Sequence, residues 1–163
     1  MGGLMIKNTS LAMGLAAVLT LLAGCGSGEE NPAPDGSTIT INPASTKWTT
    51  VKDDACAIGY ASVDDLYIIT VEDSAGNPLN NVKLTLFLDL AAGSTSITPV
   101  MELYDNGSLV TSPYTTKTEA SGTKAVTVRM WYGCSLAYKG SLHAYSGSIY
   151  GSAPLEVEAI DAP

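Results

Sequence analysis

From residue 38 onward, apolar and polar side chains alternate with a period of two, in short runs broken by Gly, Pro, Asn and Asp. That period marks strands with one buried face, because successive side chains leave a strand on opposite sides. The clearest run is 82–89, with Val82, Leu84, Leu86 and Leu88 on one face and Lys83, Thr85, Phe87 and Asp89 on the other. In 66–71, Tyr67, Ile69 and Val71 share a face. In 123–132, Val126, Val128 and Met130 point inward, with Lys124, Thr127 and Arg129 on or near the outward side. In 155–160, Leu155, Val157 and Ala159 oppose Glu156 and Glu158. Shorter extended pieces are expected at 38–42, 47–52 and 140–146. Asn106-Gly107 between the apolar runs 101–104 and 109–111 predicts a hairpin, since both residues tolerate positive φ. Segments 53–65 and 91–99 read as loops, and 72–79 as a turn that Pro78 ends. No helical period runs through a whole helix length. About seven to nine short strands at this spacing predict an all-β sandwich.

The first residues have a different texture. Residues 11–22 form an apolar run of 12 preceded by one basic side chain, Lys7. That is short for a membrane span of about 20 residues but fits the core of an export signal. Translation can start at Met1 or Met5, and an uncleaved anchor helix is the alternative to a cleaved signal. The run closes on Leu22-Ala23-Gly24-Cys25, which resembles the lipobox of bacterial lipoproteins. The resemblance implies cleavage before Cys25, a diacylglyceryl group on its thiol and acylation of the new amino terminus. Gly26 follows, where an Asp would imply inner-membrane retention, so the resemblance implies the outer membrane. The expected organisation is a signal peptide at 1–24, a lipidated Cys and flexible tether at 25–37, and one domain at 38–163.

Within the domain, Thr70-Val71-Glu72-Asp73-Ser74-Ala75-Gly76-Asn77-Pro78-Leu79 followed by Val82-Lys83-Leu84-Thr85-Leu86 resembles the invasin/intimin-type bacterial immunoglobulin-like (Ig-like) domain. In that family a Val-x-Asp-x-x-Gly-x-Pro turn opens an alternating strand. Glu119-Ala120-Ser121-Gly122, leading into Thr123-Lys124-Ala125-Val126-Thr127-Val128, is similar to its second signature. Ser152-Ala153-Pro154-Leu155-Glu156-Val157 fits its closing segment. The resemblance implies an Ig-like β-sandwich. The family occurs mostly as tandem repeats, whereas this chain carries one copy and adds two cysteines outside the family pattern.

Composition narrows the chemistry. The chain is 45% hydrophobic and 15% charged, as a globular protein is. Its formal charge is -8, and loss of Lys7 with the signal gives 7 − 16 = -9. Such a surface lacks the basic footprint that nucleic acid requires, and it would not adhere to anionic lipid heads, so the membrane link would be the acyl chains. After Cys25, the cysteines Cys56 and Cys134 remain in a chain read as exported. They are expected to form a disulfide, two unpaired thiols being the alternative. In an Ig-like ordering they fall in two connections at the same end of the sandwich.

No catalytic constellation is visible. The one histidine, His143, falls in a strand and reads as a surface residue, and no Gly-x-Ser-x-Gly elbow occurs. No metal-ligand or phosphate-loop spacing is present. The pairs Asp53-Asp54, Asp64-Asp65 and Glu72-Asp73 would bind calcium only if loops gathered them. Trp48, Trp131, Tyr132, Tyr138, Tyr145 and Tyr150 are candidates for a sugar platform or a protein contact, and Trp131 also for packing within the sandwich or over the disulfide. The expectation is a lipid-anchored, non-enzymatic module for protein interaction, adhesion or structure, with no cofactor. A module binding cell-wall or extracellular glycans is the alternative.

Overall fold

The structure is a computed structural model that describes residues 31–91 and 100–163. The sequence-predicted signal peptide and Cys25 lie outside the described residues, as does nearly all of the predicted loop at 91–99. Ten strands form: β1 (Thr38–Asn42), β2 (Thr46–Val51), β3 (Tyr60–Glu72), β4 (Lys83–Leu90), β5 (Met101–Asp105), β6 (Ser108–Val110), β7 (Tyr114–Lys117), β8 (Thr123–Gly133), β9 (Tyr138–Ser146) and β10 (Ile149–Ile160). They pack as two five-stranded sheets, β1-β3-β8-β5-β6 and β2-β10-β9-β4-β7.

This strand order is Ig-like. The first sheet holds the A-B-E-D succession, with β6 added beyond it, and the second holds the G-F-C succession. Chain entry is split between the two: β1 pairs antiparallel with β3, and β2 then pairs parallel with β10. β7 joins the edge beside β4, where a C′ strand lies.

The period-two pattern sets which face is buried. Tyr67, Ile69, Val71, Val126, Val128 and Met130 from the first sheet meet Leu84, Leu86, Leu142, Ala144, Leu155 and Val157 from the second. Full burial of each Val, Leu, Ile or Met among them contributes roughly 1.5–3 kcal/mol before ordering costs. The predicted hairpin forms with Asn106 and Gly107 at φ 49° and 76°, the pair of positive angles a tight two-residue turn requires.

Four expectations need correction. Strand β3 begins at Tyr60, so the expected loop at 53–65 ends early: Tyr60–Asp65 pairs with β8 although its alternation is polar. β7 was not expected; Thr115 and Thr116 gave no apolar period, and it forms because β4 offers a free edge. β10 begins at Ile149 and runs through Pro154, which is tolerated because β2 joins that side of the strand only from Leu155 onward. Lys124 faces inward, as strict alternation with Val126 demands, and is buried against Asp105.

Segment 31–37, expected to belong to the tether, lies against the sandwich. Lys83 donates its N–H to the Asn31 carbonyl at 2.9 Å. Ala33 is buried and donates its N–H to Ser146 Oγ at 2.7 Å. Backbone hydrogen bonds hold this stretch, so its lack of large apolar side chains did not reveal it.

Candidate functional site

Two connections meet at one end of the sandwich. Residues 52–59 lead from β2 into β3, and residues 134–137 lead from β8 into β9. Cys56 and Cys134 join them in a disulfide with Cα atoms 4.3 Å apart. This is the expected pairing, and it lies at the end of the domain, unlike the inter-sheet bridge of antibody domains. Polar contacts fix the same loops. Asp53 donates its N–H to Ser135 Oγ at 3.0 Å, and Ser135 donates its hydroxyl to Asp54 at 2.6 Å. The Asp53 carboxylate accepts the N–H groups of Ile58 and Ala57 at 2.9 and 3.1 Å, which hold it below the usual carboxylate range. Ile58, on this pinned loop, is 91% exposed. Tyr60, Val51 and Ile160 are also exposed at this end, and Val51 stands opposite Ile160 in the β2–β10 register. Sequence reasoning singled out the two cysteines but missed Ile58. The available signal was an isolated large apolar residue between Cys56 and Gly59.

The other acidic pairs are separated as adjacent strand residues must be. Asp64 takes Arg129 Nε and Nη2 at 2.7 and 2.8 Å, and the guanidinium depresses its carboxyl pKa. Asp65 accepts the Trp48 indole N–H at 2.9 Å, linking β3 to the edge strand of the other sheet. Asp73 caps its own turn through Ala75 and Asn77. Among the described residues no three His, Cys, Asp or Glu side chains gather as a metal site would need.

The candidate aromatics divide. Tyr138 is core, and burial raises its phenol pKa. Its hydroxyl sits between the carbonyls of Val100 and Trp131 at 2.9 and 3.0 Å. A tyrosine at the start of this strand bonding back to upstream backbone is the tyrosine corner of Ig-like domains. Trp131 and Tyr132 pack partly buried against the core. Trp48 is tied to Asp65. Tyr145 and Tyr150 join Phe87 and His143 on the outward face of the second sheet, where inward Leu84, Leu86, Leu142 and Ala144 force them.

In this quartet Phe87 and His143 have centroids 4.5 Å apart at 22°. Phe87 and Tyr145 are 5.5 Å apart at 6°, and His143 and Tyr150 5.7 Å apart at 25°. His143 Nδ1 also shares a hydrogen bond with the Tyr150 hydroxyl at 2.9 Å. Near-parallel rings at 4.5 Å cannot lie side by side, so Phe87 and His143 stack face on face. A sugar platform needs ring faces open to solvent; here Phe87 and His143 cover one another, and Tyr150, tilted 41° against Tyr145, is the one ring of the quartet left exposed, at 47%. His143 is thus half-buried in a stack rather than a plain surface residue.

An apolar cleft of about 360 Å³ lies between the end of β4 and the β5–β6 hairpin, walled by Leu88, Leu90, Val100, Leu103 and Leu109. Segment 92–99 connects two of its walls and lies outside the described residues.

Comparison with known proteins gives no relative from which to borrow a function. No protein-family model matches the sequence. No curated protein matches it either. Among solved structures, the chain is similar to a family 123 glycoside hydrolase from Clostridium perfringens, with a TM-score of 0.49 and 8% identity over 77% of this chain and 27% of that one. Domains 4 and 5 of the S-layer protein SbsC give 0.40 and 14%, over 79% and 54%. The Yersinia pseudotuberculosis adhesin InvE gives 0.34 and 19%, over 85% and 30%. The chain therefore spans well under two thirds of each. The Ig-like assignment stands on the strand order and the Tyr138 corner.

Proposed function

We propose that this chain is a lipid-anchored Ig-like module of the bacterial cell envelope, of the invasin/intimin type, that presents its disulfide-pinned end to a protein partner. It works by contact and spacing, with no catalysis. Acyl chains on Cys25 hold it in the membrane, and Gly26 favours the outer membrane.

The observation that carries the reading is Ile58, 91% exposed on a loop fixed by a disulfide and by the Asp53 carboxylate. A lone exposed apolar residue is ordinary. An apolar residue on a pre-organised loop is a different matter, because the ordering cost of binding is already met. The partner surface it fits is an apolar pocket with polar rims facing Asp54 and Lys52.

Orientation supports display. Asn31 docks beside Val82, and Pro32 lies against Gly147, at the end opposite the disulfide. From Cys25 to Asn31 is 31 − 25 = 6 residue steps, a reach of about 20 Å. The 13 residues of β3 span about 40 Å from that end to the pinned loops. A lipidated Cys25 would thus hold one end near the bilayer and point Ile58 away from it. The glycan reading is weaker, since Phe87 and His143 face one another and Tyr150 is the one ring of the quartet left exposed.

Two measurements test this. Wild-type protein in intact cells should take up a clickable fatty acid and Cys25→Ser should not; an unlabelled wild type ends the anchor. Cross-linked capture from the same cells should recover a partner with wild type and lose it with Ile58→Glu, a surface change that leaves folding intact. Capture unaffected by Ile58→Glu, or glycan-array binding that Tyr150→Ala abolishes, would replace the protein-contact reading.

A further inference from the structure

At the end of the sandwich nearer Asn31, three polar side chains meet inside the fold. Lys124 of β8 and Asp105 of β5 belong to one sheet, and Tyr114 of β7 belongs to the other. The side chains of Lys124 and Asp105 are 7% and 9% exposed, with Nζ 2.7 Å from Oδ1. The Tyr114 hydroxyl donates to Asp105 Oδ2 at 2.6 Å. Asp105 Oδ1 is buried and makes no hydrogen bond of acceptable geometry despite the nearby amine.

We propose that Lys124 and Asp105 are a site of autocatalytic condensation, giving an amide between Nζ and Cγ that locks β8 to β5. A buried ion pair offsets its desolvation only when well-aligned hydrogen bonds satisfy both ions, and this contact is poorly aligned. Attack requires that one proton pass from the ammonium to the carboxylate across the 2.7 Å contact, giving a neutral amine and a neutral acid. The amine is then a nucleophile. With a C–O bond of about 1.23 Å, Nζ is at most about 4 Å from Cγ, close to attack distance. Nζ bonds to Cγ, and the tetrahedral intermediate places negative charge on the carboxyl oxygens. Tyr114 stands ready to donate to one of them, as an oxyanion donor does. The Cγ–O bond to the other oxygen breaks, and that oxygen leaves as water with the two protons released by nitrogen. The balance is Lys-NH₃⁺ and Asp-COO⁻ to amide and one water, with no oxidant and no cofactor. The product keeps a polar carbonyl for Tyr114 and removes both buried charges. It also ties β8 to the strand before the Asn106-Gly107 hairpin, beside the point where Tyr114 crosses to the other sheet.

The test is mass spectrometry of the purified, reduced protein, with no variant required. The reaction predicts an intact mass lower by one water, about 18 Da. Trypsin should yield peptide 84–117, which contains Asp105, joined to peptide 118–129 uncleaved at Lys124. Fragmentation must place the loss on Lys124 and Asp105, because succinimide formation at Asn106-Gly107 also lightens the chain by a similar amount. Lys124→Arg, which keeps the charge but has no comparable nucleophile, should restore the full mass. Free peptides 118–124 and 125–129 from folded wild-type protein, at full intact mass, would overturn the proposal.

Discussion

Gly122 packs directly against Pro78. The two residues belong to different turns, Asp73–Pro78 after β3 and Glu119–Gly122 before β8, and Val71 donates its N–H to the Gly122 carbonyl at 3.0 Å. The two motifs that carry the sequence resemblance are therefore one structural unit. A Cβ on Gly122 would collide with Pro78 and lie 2.8 Å from the Leu79 nitrogen, and Gly122 has φ +74°.

Gly122→Ala is expected to destabilise the fold by about 2–4 kcal/mol. The left-handed backbone alone costs about 1–2 kcal/mol with a side chain, and the turn around Leu79 must also move. Urea unfolding checks this. A midpoint equal to wild type would mean that the two turns are not in contact.

Tyr138→Phe should cost about 1–2 kcal/mol, because it leaves the buried carbonyls of Val100 and Trp131 without their shared donor while keeping the ring in the core. Tyr132→Phe is the control, since Tyr132 is only partly buried. Equal midpoints for the two variants would remove the tyrosine corner from the account of stability.

Loss of the Cys56–Cys134 bridge should lower the melting temperature while the strands persist. It closes 78 residue steps, for which chain entropy gives about 4–5 kcal/mol as an upper figure. The buried faces of both sheets supply a core independent of it. The single and double Cys→Ala variants should melt at similar, lower temperatures. Near-ultraviolet circular dichroism should keep its native shape, and its collapse would show that the bridge is needed for folding itself.

Acid should destabilise the protein in a defined direction. Asp53, Asp64, Asp73 and Glu158 all have carboxyl pKa values lowered in the fold, by Ile58 N–H, Arg129, Asn77 and Lys47 respectively as the leading causes. A depressed folded pKa means that protonation favours the unfolded chain. Their contribution is full above the unfolded values near about 4 and is lost as pH falls through the lower folded values. Urea midpoints should be flat from neutral pH to about 5 and fall below about 4. Midpoints that rise on acidification would contradict these contacts.

Alternation alone determined most of the sandwich. Val82, Leu84 and Leu86, like Tyr67, Ile69 and Val71, face the core because a two-residue period is a local property of the strand, and the Asn106-Gly107 turn follows from backbone angles that few other residues accept. The same rule held Lys124 inward, where charge had argued for the surface; register is collective, and one residue cannot turn outward without moving Val126 and Val128. Other features depended on partners distant in sequence. Tyr60–Asp65 became strand because β8 lay beside it, β7 because β4 had a free edge, and 31–37 docked through backbone groups that no side-chain pattern reports. Phe87, His143, Tyr145 and Tyr150 come from three strands, so only the sheet register could reveal that their rings stack on one another. The meeting of Cys56 with Cys134, and of Lys124 with Asp105 and Tyr114, was likewise decided by tertiary structure, because contacts across 78 and 19 residue steps exist only after the strands have taken their order.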